Sequence, residues 1–202
     1  MKQGSSFIVV ALGDSTTAGT PGFVSPREAP PDGRGDAKSQ YAYWLMQAHP
    51  EWRVINQGVN GQRSDEICAR FDEDVVAQRP QVVVIVAGVN DVYQGRDAAH
   101  VERELAAMYE RAHASGIGVV AGSILPYNTA TPEQNARMRE INQWIEQQAR
   151  DTPGMAFADT RAAVASPTDP DRLVSSPDEL HPDADGYRLM ADALAPAVLS
   201  LL

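Results

Sequence analysis

A serine attacks a carbonyl efficiently only when a base takes its proton and a third group orients that base. The sequence offers all three residue types. Ser15 follows the run Val10-Ala11-Leu12-Gly13-Asp14, where an apolar stretch stops at a Gly-Asp-Ser turn. Near the other end, Asp178-Glu179-Leu180-His181-Pro182 sets a carboxylate three residues before an imidazole. In a turn or a first helical turn, that spacing lets Asp178 reach one ring nitrogen of His181 and leaves the other free to face Ser15. Each piece alone has a plainer reading. Gly-Asp-Ser also describes a serine capping a turn, Asp178 a helix cap, and His181 a surface residue. Ser15-Thr16-Thr17 would equally suit a loop that binds phosphate or a flavin.

Acyl transfer further needs donors aimed at the oxyanion of the tetrahedral intermediate, and removing one typically costs about 3 to 4 kcal/mol. Two loops can supply them. The segment Asn56-Gln57-Gly58-Val59-Asn60-Gly61-Gln62-Arg63-Ser64 has glycines that permit an exposed backbone N–H, and Gly88-Val89-Asn90-Asp91 offers the amide of Asn90. Both also read as ordinary strand-to-helix turns. His49, His100 and His113 read as structural or solvated. His181 with Asp178, Asp183 and Asp185 is too sparse a set for a transition metal, so no metal and no cofactor are expected.

These groups need a scaffold. Phe7 to Leu12 and Val82 to Val86 are apolar without polar alternation, as strands covered on both faces are. Trp52 to Asn56, Gly118 to Ser123 and Met155 to Ala158 are further strand candidates. Helical spacing is expected over Ser39–His49, Ser64–Gln78, Ala98–Ser115, Pro132–Asp151 and Ala184–Leu201. Thr131-Pro132-Glu133-Gln134 reads as a helix start and Ser115-Gly116 as a helix end. The alternation predicts an α/β domain over 1–202, with a parallel sheet between two helical layers. Three candidate groups then follow three successive strands, at the carboxyl ends where such sheets bind ligands. The Pro- and Gly-rich stretch from Thr20 to Lys38 is a long loop, a lid or binding rim on one reading and a disordered insertion on another.

In this combination the chain resembles the SGNH hydrolases, the GDSL-type lipase and esterase superfamily, in four blocks between Gly13 and His181. The resemblance implies that Ser15 is the nucleophile and, through its backbone N–H, an oxyanion donor. It also implies Gly61 as a backbone donor, Asn90 as a side-chain donor, and Asp178 and His181 as the acid–base pair. It implies a flavodoxin-like three-layer α/β/α sandwich with about five parallel strands in the order 2-1-3-4-5. Two departures stand out. The first block reads Gly-Asp-Ser-Thr rather than Gly-Asp-Ser-Leu, and Arg63 occupies a position where small polar residues are frequent.

Composition narrows the partners. The 202 residues are 43% hydrophobic, enough for a sizeable core, and carry a net charge of −10 with no basic cluster. That charge opposes non-specific attraction to nucleic acid and to anionic membranes. No apolar run is long enough to span a bilayer and no signal peptide is read, so a cytoplasmic location is the default expectation. The lone Cys68 reads as a small core residue. The expected substrate is a small-molecule ester with a short acyl group, because the sequence shows no extended apolar lid; the alternatives are lysophospholipase or thioesterase activity on longer acyl chains and a non-catalytic binding module on the same scaffold. Asp14, Arg63, Val92, Tyr93 and Tyr127 are expected to border it, together with Phe23 and Arg27 of the long loop.

Overall fold

The computed structural model describes residues 7–202. Its central sheet has five strands: β1 (Phe7–Gly13), β2 (Trp52–Gly58), β3 (Val82–Val86), β4 (Gly118–Gly122) and β5 (Met155–Ala158). All neighbours are parallel, in the order β2-β1-β3-β4-β5. Gly13 pairs with Gly58 on one side and with Val86 on the other, so β1, β2 and β3 end level. The chain reverses its direction of winding beside β1, and the loops leaving these three strands open a crevice there.

Nine helices surround the sheet: α1 (Ser15–Ala18), α2 (Tyr41–Ala48), α3 (Ser64–Ala69), α4 (Phe71–Asp74), α5 (Val89–Tyr93), α6 (Ala98–Ala114), α7 (Pro132–Asp151), α8 (Thr160–Val164) and α9 (Ala184–Leu199), counted among the described residues. Side chains alternate across each strand, and both faces are apolar. Val82, Val84 and Val86 join Val9 and Ala11 under Tyr41 and Leu45 of α2 and Tyr187, Met190 and Leu194 of α9. Val83 and Ile85 join Val10 and Leu12 under Ile67, Phe71, Leu105, Met108 and Ile141 on α3, α4, α6 and α7, with Cys68 in the same cluster. Fully burying one such aliphatic side chain is worth roughly 1.5 to 3 kcal/mol, so the uninterrupted valine run fixes the three-layer arrangement.

Local signals set the helix ends. Thr131 accepts the Gln134 N–H while Gln134 reaches back to Thr131, and Pro132 occupies the first helical position of α7. The expected helix over Ser64–Gln78 is instead broken into α3, α4 and a 3-10 turn at Val76–Gln78. The run Asp72-Glu73-Asp74 follows the break, and three acids favour a fresh helix N-terminus. The Thr20–Lys38 loop is an ordered strap. Phe23–Val24 pairs with Arg34–Gly35, and the Ser25 hydroxyl donates to the Gly58 carbonyl at 2.6 Å.

Candidate active site

Ser15 opens α1 immediately past β1. Asp14 caps that helix by accepting the Thr16 N–H at 2.9 Å. A Cβ on Gly13 would lie 2.3 Å from the Val86 carbonyl oxygen, so only glycine lets the chain turn this close to β3. His181 arrives from the loop before α9, its Nε2 lying 2.8 Å from Ser15 Oγ and its Nδ1 2.7 Å from Asp178 Oδ2. Asp178 Oδ1 also accepts the backbone N–H groups of Leu180 and His181 at 3.0 and 2.8 Å. An ionised Asp178 accepts the Nδ1 proton, which leaves the Nε2 lone pair facing the serine hydroxyl. Burial pushes the Asp178 carboxyl up, but its bonds from the His181 ring and the two N–H groups outweigh this and hold it below the ordinary value.

The loop carrying His181 is itself held. The Ser176 hydroxyl donates to the His181 carbonyl at 2.7 Å, and the Asn128 N–H to the Glu179 carbonyl at 2.8 Å. Glu179 has φ +67°, a left-handed conformation that costs a side-chain-bearing residue about 1 kcal/mol or more. The surrounding bonds keep it there.

Gly61 and Asn90 reach the same cleft from the loops after β2 and β3. Gly61 has φ +75° with open space where a Cβ would stand, and its N–H has no acceptor among the described residues. Asn90 Nδ2 donates one hydrogen to the Gln62 carbonyl at 2.9 Å, which leaves the second for a ligand. The cleft holds about 250 Å³ and its apolar walls are Val89, Tyr93, Tyr127 and Leu180. Tyr93 and Tyr127 pack edge to face at 5.9 Å. The Tyr127 hydroxyl is buried without a partner among the described residues, and burial pushes it up to about 12.

Of the residues expected to border the substrate, Tyr93 and Tyr127 do line the cleft. Val92 does not: α5 turns it into the core, fully buried. Arg63 turns away to Asp65 at 3.1 Å and to Glu66 and Gln94. Asp14 lies beneath the turn rather than in the cleft, buried and pushed up to about 6. Phe23 is buried in the strap, and Arg27 pairs with Glu73 at 2.9 Å. Thr16, Asn60, Val89 and Leu180 complete the lining, and each is a sequence neighbour of a motif residue. Asn60 is braced by the strap: its Nδ2 donates to Glu28 at 2.6 Å, and Oδ1 accepts from the Thr20 hydroxyl.

Residues 11–189 match the GDSL-like Lipase/Acylhydrolase family. The chain belongs to this family. It is 31% identical over 216 residues to an acetylxylan esterase of Geobacillus stearothermophilus, an alignment covering 96% of this chain and 94% of the relative. A 79-residue segment is 34% identical to esterase TesA of Pseudomonas aeruginosa, covering 39% of each. Among solved structures, a mutant acetyl-xylooligosaccharide esterase from Geobacillus superposes with a TM-score of 0.76 at 26% identity, covering 98% of this chain and 96% of that one. Other solved forms of the Geobacillus enzyme are catalytic mutants at a serine, an aspartate or a histidine. The family member described here is a carboxylic ester hydrolase, and no helix among its described residues is long and apolar enough to cross a membrane.

Proposed function

We propose that the enzyme hydrolyses esters of short acyl groups, acetyl foremost, through an acyl-enzyme on Ser15. The placement of His181 between Ser15 Oγ at 2.8 Å and Asp178 Oδ2 at 2.7 Å carries this reading. As the Ser15 oxygen bonds to the ester carbon, its proton passes to His181 Nε2, and Asp178 stabilises the imidazolium that forms. The N–H groups of Ser15 and Gly61 and the free amide hydrogen of Asn90 receive the developing oxyanion. His181 then protonates the departing alcohol. Water repeats the sequence on the acyl-enzyme, and His181 returns the proton to Ser15.

Two observations support a short acyl group. The cleft, at about 250 Å³, falls below the roughly 300 to 1,000 Å³ of pockets for drug-sized ligands. The relative that aligns over nearly the whole chain is an acetylxylan esterase, which favours an acetylated saccharide as the alcohol side. Hydrolysis of p-nitrophenyl acetate by wild type and Ser15→Ala tests the mechanism: the variant should lose activity, and equal rates would remove Ser15 from it.

A further inference from the structure

The loops bearing Gly61 and Asn90 are tied together beneath the cleft. Ser64, the first residue of α3, donates its backbone N–H to Asp91 Oδ2 at 2.8 Å and its hydroxyl to Asp91 Oδ1 at 2.9 Å. Both residues have zero solvent exposure, so no water competes for these bonds. A third bond, from Asn90 Nδ2 to the Gln62 carbonyl at 2.9 Å, crosses between the same loops. Burial lifts the Asp91 carboxyl above its ordinary value, and the two Ser64 donors oppose that lift.

His100 stands on the other side of Asp91. Its Nδ1 lies 2.8 Å from Arg103 Nη2, and an arginine can only donate, so the proton of the neutral ring sits on Nε2. That nitrogen faces Asp91 Oδ1 at 3.7 Å. Asp65, Asp91 and His100 bring ligand atoms within 4.8 Å of one another, the spacing of a cation cage. The tautomer argues against one, because a metal needs the Nε2 lone pair, and Asp65 is already paired with Arg63 at 3.1 Å. What the cluster does favour is a fixed Asp91 carboxylate.

We propose that Asp91 is the positioning residue of the oxyanion hole, setting the distance between the Gly61 N–H and the Asn90 amide by its two bonds to Ser64. The proposal rests on the assignment of Gly61 and Asn90 as oxyanion donors. Those donors sit on separate loops, and beside the Asn90 amide's own bond to the Gln62 carbonyl, the Ser64 bonds to Asp91 tie one loop to the other. A displacement of about 1 Å in a catalytic constellation costs on the order of 10²-fold in rate. Asp91→Ala leaves the Ser64 N–H and hydroxyl unpartnered and loosens the tie between the two loops. Asp91→Asn keeps both bonds, its oxygen accepting the N–H and its amide donating to the Ser64 hydroxyl oxygen.

The test compares wild type, Asp91→Ala, Asp91→Asn, Ser64→Ala and Asn90→Ala. It measures kcat and KM on p-nitrophenyl acetate, and the affinity of a boronic acid that forms a tetrahedral adduct on a serine. Asp91→Ala should lower kcat by about 10²-fold with KM little changed, and weaken the boronate in parallel. Ser64→Ala, which loses only the hydroxyl bond, should do the same by a smaller factor and keeps the test open if Asp91→Ala does not fold. Asp91→Asn should retain most of both. Loss of kcat in Asn90→Ala but not in Asp91→Ala or Ser64→Ala overturns the positioning role. A loss of kcat with unchanged boronate affinity, or an Asp91→Asn as impaired as Asp91→Ala, overturns it too. Full kcat in Asn90→Ala instead overturns the donor assignment beneath it.

Discussion

Arg70 donates from Nη2 to the carbonyl of Gly13 at 2.8 Å, two residues before Ser15. Its Nη1 reaches the Gln57 carbonyl at 2.8 Å, its Nε reaches Gln62 at 2.7 Å, and it pairs with Asp74. One cation thus fastens the carboxyl ends of β1 and β2 to α4.

Removing that cation should cost stability. Asp74 is 1% exposed, and Arg70→Met would leave its buried carboxylate facing only Arg27 at 3.5 Å. Breaking such a pair from one side typically costs about 3 to 5 kcal/mol. Urea unfolding should show a loss of that order in Arg70→Met and a partial recovery in Arg70→Met/Asp74→Asn, which removes the stranded charge as well. A single variant as stable as wild type would contradict this.

Asp14 gives stability a pH dependence of known sign. Burial pushes its carboxyl from 3.8 up to about 6, against the opposing Thr16 N–H and the His181 charge. Between those values the folded state keeps a proton that the unfolded chain has released. The contribution of Asp14 is therefore fully present below pH 3.8, falls as pH rises, and is lost above about 6. Asp14→Asn keeps an oxygen for the Thr16 N–H but does not titrate. Its unfolding free energy relative to wild type should rise by up to about 3 kcal/mol between pH 4 and 7. Parallel stability curves for the two proteins across that range would count against it.

On the proposed mechanism, Asp178→Asn keeps an oxygen for the N–H groups of Leu180 and His181 but loses the charge that stabilises the imidazolium. In serine proteases the equivalent loss is about 10⁴-fold in kcat. The Asp178 side chain is 32% exposed here, so solvent shares the task and the fall should be smaller, between about 10² and 10⁴. Steady-state kinetics should also show His181→Ala more impaired than Asp178→Asn; the reverse order would refute the assigned roles.

Chain-length selectivity should follow the cleft walls. Across p-nitrophenyl esters from acetate to octanoate, kcat/KM should be highest for the short chains. Tyr93 is 59% exposed and packs on Tyr127 at one wall, so Tyr93→Ala should widen the cleft and move the optimum to longer chains. A wild-type maximum at octanoate would place the protein with long-chain acylhydrolases instead.

The fold was readable because its determinants are local. The valine run of β3, the cap at Thr131 and the turn at Gly116 each act over a few residues, and the corresponding elements stand where they were expected. The bonds that hold Arg70 at the break were not readable, since its guanidinium reaches carbonyls 57 and 13 residues away. At the site, the motifs led to the residues that meet around Ser15, but not to which neighbours share the cleft. Val92 and Tyr93 are adjacent on α5, and only the packing of a five-residue helix sends one into the core and the other to the rim. Arg63 was drawn off by Asp65, two residues along, a competition that its place in the motif does not reveal.

Ser15 and His181 stand 166 positions apart, and their contact closes most of the chain into one ring. The entropic cost of so long a closure grows slowly, by about 0.6 kcal/mol per doubling of length. Its timing is the larger matter. On the proposed mechanism, a chain emerging from the ribosome can complete β1 through β5 and still lack the imidazole, so hydrolytic competence arrives only with the final segment. On the same reading, the return of turnover in a refolding experiment reports the docking of the loop before α9 onto the end of β1, whatever the order in which the sheet assembles.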